Sequence, residues 1–267
     1  MTDSKFLSVA KEAAIEAGKI VKNYYQSKLD LHNKGHFTNF ATKADLESEE
    51  KVIEIIKANF PDHNIIAEES GRVDNGSEYS WAIDPIDGTI PFVDGLPFFG
   101  ISIGLLRNDQ PILGVINMVA KDELFWAEEG KGAFKQSLRS GDLKNGKRIQ
   151  IRKEPSLEQA TIALEWGHSA RDWRIEKHVA PIIEKVRYAY VFGSAVQSLT
   201  AIAEGKLDGC LIRAYVWDFA AGAIIIAEAG GKFTDPQGQK PDFTAEKIQL
   251  LCSNGLIHDE MVKIYTS

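Results

Sequence analysis

The chain has 267 residues, 44% of them apolar, enough to bury a substantial core as one large domain or two closely joined halves. Its 38 acidic and 31 basic side chains leave a formal net charge of −7, which excludes a general electrostatic attraction for a nucleic-acid polymer or an anionic membrane. An anionic substrate then needs a local device to overcome that charge, and bound divalent cations are one, because they become the largest charges in a site.

Phe6, Leu7, Ala10, Ala13, Ala14, Ala17, Ile20, Val21, Tyr24 and Tyr25 recur at three- and four-residue steps, which predicts a long amphipathic first helix. Its acids and lysines leave no continuous apolar run, so no secretory signal is expected, and no stretch of the chain is long enough to span a bilayer. A second helical pattern, Val52, Ile53, Ile56 and Phe60, follows Asp45 and ends at Pro61, whose ring cannot continue a helix. Strand-like runs come next. Asn64 to Ala67 and Ser80 to Ile83 are short, apolar and end directly in acids, while Phe99 to Leu106 and Ile112 to Met118 read as neighbours joined by a turn over Arg107 to Pro111. Leu124 to Ala127 and Gly132 to Lys135 extend this stretch, and Ser140 to Gly146 reads as an exposed loop.

Beyond Pro155 the pattern alternates: strand (Thr161 to Leu164), helix (Arg171 to Val186), strand (Tyr188 to Phe192), helix (Ala195 to Ala203), strand (Cys210 to Ile212) and helix (Phe219 to Ala229). Strands alternating with helices predict a layered α/β arrangement. Cys210 and Cys252 lie far apart without a CxxC pair, so buried thiols in a cytoplasmic protein are expected rather than a disulfide framework or a thiolate zinc site.

The strongest chemical signal is Trp81-Ala82-Ile83-Asp84-Pro85-Ile86-Asp87-Gly88-Thr89, an apolar strand ending in two carboxylates three residues apart and then Gly-Thr. Hard cations take oxygen ligands, and this turn offers Asp84, Asp87 and the Ile86 carbonyl, with Pro85 stiffening it. Gly88 lets the backbone approach a phosphate, a helix starting there would turn free N–H groups toward it, and the Thr89 hydroxyl could position a water. Read alone, the segment is also good turn chemistry with an aspartate cap. Two further acid clusters tip the balance toward convergence: Glu68-Glu69 after Ile65-Ile66-Ala67, and Asp218 in Val216-Trp217-Asp218-Phe219-Ala220-Ala221-Gly222. Asp45, at a helix start, serves as a cap or as catalytic support.

With those motifs in order, the sequence resembles the inositol monophosphatase family of Mg2+-dependent, lithium-sensitive phosphatases along nearly its whole length. The matching elements are the acidic pair before Ser70, Asp84 to Thr89, and Trp217 to Gly222. The resemblance implies an αβαβα sandwich of the sugar-phosphatase type and two or three Mg2+ ions held by Glu68, Asp84, the Ile86 carbonyl, Asp87 and Asp218. It further implies that Glu68, with Asp45 and Thr89, orients the attacking water. Gly88, Thr89 and Lys34 are implied at the phosphate, and a homodimer is the common assembly. The expected organisation is an α+β half over residues 1–155 with most metal ligands and an α/β half over 156–267 with the substrate-side residues, in one compact unit with the site between them.

On the substrate side, Ser194 and Arg213 are expected. Inositol-cleaving members carry a glutamate a few residues before the Trp-Asp motif; here the only charge between Asp208 and Asp218 is Arg213. An arginine beside the leaving group favours an anionic partner such as a second phosphate, unless it pairs with a neighbouring carboxylate. Phe92-Val93-Asp94-Gly95-Leu96-Pro97 resembles histidinol-phosphatase-type sequences instead. A polyol or sugar phosphate, histidinol phosphate, fructose 1,6-bisphosphate and a 3′-phosphonucleotide therefore all stand as substrates, with a metal-dependent anion-binding module as the non-enzyme alternative. Gly100-Ile101-Ser102-Ile103-Gly104 matches a nucleophile elbow only in letters, because it lies inside a continuous strand pattern rather than at a strand-to-helix turn. His32 and His36 have metal-like spacing but no third ligand nearby.

Overall fold

In the computed structural model, residues 3–27, 31–36, 39–140, 146–154, 156–165, 175–245 and 247–267 are described. Ser4 starts α1 (Lys5–Tyr24), its hydroxyl accepting the Leu7 N–H at 3.1 Å. Half of the buried residues of α1 are alanines, which lets it lie close to the sheet beneath. A hairpin of β1 (Leu31–His36) and β2 (Asn39–Thr42) runs directly into α2 (Lys43–Asn59).

The larger sheet is built from β3 (Asn64–Ala67), β4 (Gly71–Val73), β5 (Tyr79–Asp87), β6 (Gly100–Arg107), β7 (Gln110–Met118), β8 (Glu123–Glu128), β9 (Gly132–Ser137) and β10 (Lys147–Arg148). Its order is β10-β9-β8-β7-β6-β5-β3-β4, with β3 and β5 parallel and the other pairs antiparallel. A short helix, α3 (Thr89–Val93), follows β5. The second sheet takes β11 (Thr161–Glu165), β12 (Tyr188–Tyr190), β13 (Gly209–Tyr215), β14 (Lys232–Thr234) and β15 (Lys247–Ser253) in the order β12-β11-β13-β15-β14. The C-terminal helices are α4 (Ile175–His178), α5 (Ala180–Ile183), α6 (Ala195–Ala203), α7 (Val216–Glu228) and α8 (His258–Thr266).

Strand alternation sorts the core into three layers of contact. Ile83, Ile101, Ile103 and Val115 face α1 and α2 on one side of the larger sheet. Ala82, Leu106 and Ile116 face the opposite way, where α6 and α7 fill the space up to Ala163, Cys210 and Ile212 of the smaller sheet. Ile162, Leu164 and Leu211 cover the far face of that sheet against α5 and α8. The result is the αβαβα sandwich expected. Gly104 and Gly114, paired across β6 and β7, sit under α7: a Cβ on Gly114 would lie 2.3 Å from the Ala221 carbonyl oxygen. The small residues of Ala220-Ala221-Gly222 are therefore a packing requirement between helix, sheet and α6. Both cysteines are free and buried, facing each other across β13 and β15.

Several expected boundaries move. The strand predicted over Ser80 to Ile83 continues to Asp87, with its register against β6 broken between Asp84 and Asp87. The single helix expected over 171–186 is two short ones, because Pro181 removes the N–H that would bond Lys177 and its ring crowds the preceding turn; residues 171–174 lie outside the described residues. The strand from Tyr188 stops at Tyr190, since the N–H groups of Phe192, Gly193 and Ser194 turn to the Glu165 carboxylate instead of a ladder. Of the loop expected over Ser140 to Gly146, residues 141–145 also lie outside the described residues. No described helix is long and apolar enough to cross a membrane.

Candidate active site

Parallel pairing of β3 with β5 sets Ala67 against Ile83, so the acids that follow each, Glu68 and Asp84, emerge side by side, with the Glu68 N–H bonded to the Ile83 carbonyl at 3.2 Å. The break in register after Asp84 forms a bulge at Pro85 and Ile86 that turns Asp87 to the same end of the sheet. Three bonds hold the bulge: Ile86 N–H to Asp84 Oδ1 at 2.9 Å, Ser48 hydroxyl to the Pro85 carbonyl at 3.2 Å, and Thr89 hydroxyl to the Ile86 carbonyl at 3.1 Å. Asp218 arrives from the first turn of α7, its Oδ2 accepting the Tyr215 N–H at 2.7 Å. Carboxylate oxygens of Asp84, Asp87 and Asp218 lie within 4.8 Å of one another.

Burial first, and then the neighbouring carboxylates, push the pKa values of Asp84 and Asp218 well above the usual carboxylate range. Asp87 is pushed up to about 7 by burial, against the opposing pull of the Ser194 hydroxyl and the Val196 and Ala195 N–H groups. Among the described residues no lysine or arginine pairs with any of the three. A crowded, largely buried, all-oxygen donor set of this kind fits a hard divalent cation, which would cancel the repulsion.

The first turn of α2 supports the site from behind. Asp45 is 1% exposed; its Oδ2 accepts the Thr42 N–H at 2.7 Å and the Thr42 hydroxyl at 2.6 Å, while its Oδ1 has no hydrogen-bond partner among the described residues. Burial raises its pKa to about 7 despite those bonds. Asp45 is thus the third helical residue of a capping box whose N-cap is Thr42, and also a buried carboxylate with an open oxygen. One turn on, Glu49 accepts the N–H groups of Glu69 and Ser70 at 2.8 and 2.7 Å, fixing the turn that carries Glu68.

A cleft of about 140 Å3 opens over the three carboxylates, lined by Glu68, Asp84, Ile86, Asp87, Gly88, Thr89 and Asp218, with Ser194, Ala195, Ile212, Arg213 and Ala214 opposite. Both sheets contribute to it. Of the expected site residues, Asp45 stands behind the cleft rather than on its wall, and Lys34 falls in β1 with its side chain outside the described residues, as do those of His32 and His36. Gly88 (φ 86°) caps α3, and a Cβ there would meet the Phe98 carbonyl oxygen at 2.5 Å and Ser194 Cβ at 2.9 Å, so packing demands glycine before any phosphate does. Ser102 is a fully buried strand residue of β6, as its alternation indicated.

Two residues at the site escaped the sequence reading. Glu165 ends the apolar run of β11 on the cleft wall, the same strand-end acid pattern that singled out Glu68. Glu49 stands at the i+4 position from Asp45 on one helix face, a spacing that could have signalled it.

The family model described as the inositol monophosphatase family matches residues 2–266. The chain belongs to this family. The fructose-1,6-bisphosphatase/inositol-1-monophosphatase of Aquifex aeolicus is 33% identical over 97% of the chain and 95% of its own length. Inositol monophosphatase 2 of Solanum lycopersicum is 36% identical over 91% of the chain and 92% of its own length. The crystal structure of the extragenic suppressor protein suhB of Bartonella henselae superposes with a TM-score of 0.89 at 28% identity, covering 99% of both chains. Membership makes this inositol monophosphatase family protein a phosphatase.

Proposed function

We propose that this chain is a Mg2+-dependent phosphomonoesterase that hydrolyses a small soluble phosphate monoester of a polyol or sugar, of the inositol 1-phosphate type. The observation that carries the reading is the convergence of three carboxylates, Asp84 and Asp87 buried and Asp218 half-buried, within 4.8 Å of one another on the wall of a cleft. Glu68, Asp84, Asp87, Asp218 and the Ile86 carbonyl are the groups that would hold two or three Mg2+ ions. When bound, these ions supply positive charge to the phosphoryl oxygens and acidify water.

The chain's own residues do the rest. Glu68 orients the attacking water and takes its proton, with the Thr89 hydroxyl beside it and the Asp45 carboxylate supporting the site from behind the cleft. The phosphate rests against the backbone at Gly88 and Thr89, with Lys34 as a further contact, so that water, phosphorus and ester oxygen stand in line. The P–O bond to the alcohol breaks as the new one forms, and the leaving oxygen takes up a proton from solvent while Glu68 returns its own to solvent, giving inorganic phosphate and the free alcohol without a covalent phosphoenzyme. Ser194 and Arg213 face the alcohol portion. The names of the relatives from Aquifex aeolicus and Solanum lycopersicum support a polyol or sugar phosphate.

A second reading is carried by Arg213, which lines the cleft: an arginine there favours a leaving group with its own anion, such as a second phosphate. Phosphate release from inositol 1-phosphate, histidinol phosphate, fructose 1,6-bisphosphate and a 3′-phosphorylated nucleotide, each with and without Mg2+, separates the readings. Preference for the bisphosphate selects the second, and release independent of Mg2+ overturns both.

A further inference from the structure

Glu165 is a buried carboxylate, 5% exposed, at the end of β11 in the smaller sheet. Its Oε1 accepts the Phe192 N–H at 3.2 Å and the Ser198 hydroxyl at 2.6 Å, and its Oε2 accepts the Gly193 and Ser194 N–H groups at 2.9 and 3.2 Å. Among the described residues these four donors are its partners, and none is a cation. Three consecutive N–H groups thus close on one carboxylate, around Gly193 at φ 71°. The segment so gathered is the start of α6, and the other side of that start is turned to Asp87. The Ser194 hydroxyl donates to Asp87 Oδ1 at 2.5 Å, the Val196 N–H to the same oxygen at 3.0 Å and the Ala195 N–H to Oδ2 at 3.2 Å.

Two carboxylates on different sheets therefore share one short stretch of backbone between them. We propose that Glu165 is a positioning residue of the phosphatase site, holding residues 192–194 so that Ser194, Ala195 and Val196 aim Asp87 at the cation cluster. The proposal rests on the reading of Asp87 as a cation ligand. Hydrogen-bonded supports of this kind orient a ligand carboxylate, and their loss lowers metal affinity by about 10–100-fold. An amide at position 165 has one acceptor oxygen, so it sets an NH2 group against donors that the carboxylate satisfied.

The test is calorimetric titration of the metal-free protein with MgCl2, together with amide hydrogen exchange in the absence of metal, on the wild type and Glu165→Gln. Expected are Mg2+ binding weaker by about 10-fold or more and exchange faster by about the same factor at Ala195 and Val196, whose N–H groups Asp87 accepts, while exchange in α7 stays unchanged. A folded Glu165→Gln protein with Mg2+ affinity and exchange at wild-type values overturns the proposal, as does uniformly faster exchange throughout with Mg2+ affinity unchanged, which marks a purely structural residue. Should Glu165→Gln fail to fold, Glu165→Asp carries the same test: one methylene shorter, it cannot reach all four donors, and wild-type affinity and exchange would again overturn the idea. A wild type that binds no divalent cation defeats the proposed function instead, and the link from Glu165 to Asp87 then stands or falls on the exchange at Ala195 and Val196 alone.

Discussion

Ser102, in the middle of β6, donates its hydroxyl hydrogen to the main-chain carbonyl of Trp217 at 2.9 Å. Ser102 is also the register partner of Asp84 across β5 and β6, and Trp217 immediately precedes Asp218. One buried hydroxyl therefore fixes the spacing between two of the three clustered carboxylates. Ser102→Ala leaves that carbonyl without its partner and should cost about 1–3 kcal/mol of stability, together with weaker Mg2+ binding. Urea denaturation and Mg2+ titration check this, and unchanged values for both would remove Ser102 from the architecture of the site.

Asp87→Asn removes a charge from the cluster and sets an NH2 group against the donors from Ser194, Ala195 and Val196, so turnover should nearly vanish. Glu68→Gln keeps the shape of the turn but removes both the proton acceptor and one negative charge from the cation site. It should lower kcat by about 10²–10⁴-fold while KM changes little. Steady-state kinetics at saturating Mg2+ measures both, and full activity in either variant is incompatible with the mechanism.

Gly114→Ala tests the seat of α7. The new methyl carbon would stand 2.3 Å from the Ala221 carbonyl oxygen and 2.7 Å from its Cα, backbone atoms that yield only if the helix moves. A loss of about 1–3 kcal/mol is expected, with reduced Mg2+ affinity because Asp218 rides on the same helix. Thermal melting with and without Mg2+ reads both effects.

Protons should compete with the cation. Without metal, Asp87 has a folded pKa of about 7 against an ordinary value of 3.8, so folding takes up a proton between those limits and Asp87 contributes a loss of metal-free stability as pH rises from about 4 to 7. Asp45, also near 7 when folded, acts in the same direction. Above that window Asp87 and Asp45 are ionised and ready for a cation cluster; below it a bound ion must displace their protons. The rise in melting temperature on adding Mg2+ should therefore be largest above pH 7 and fade toward pH 5. A shift independent of pH would mean that the cation binds elsewhere.

The local pattern reached far into this protein. Apolar spacing located α1, β3 and α6, the last two over the same residues found in the structure. Strand-end acids and the Trp-Asp motif picked out Glu68, Asp84, Asp87 and Asp218, which line one cleft, because an acid at a strand end or a helix start leaves a short-range signature. Glu165 carried the same signature and went unread for want of a neighbouring motif.

What the tertiary structure alone decided is long-range. The Ser102 to Trp217 bond spans 115 residues and the Ser194 to Asp87 bond 107. The demand for glycine at position 114 comes from a helix that begins about a hundred residues later. The bulge that aims Asp87 depends on α2 reaching Pro85 with Ser48. By itself the sequence determined which residues are candidates for the chemistry and which local elements carry them, since propensity, periodicity and capping act over a few residues. Only the packed sheets and helices decided which carboxylates share one cleft and what holds each in place, since those contacts are made by burial and hydrogen bonding between segments that carry no local mark of one another.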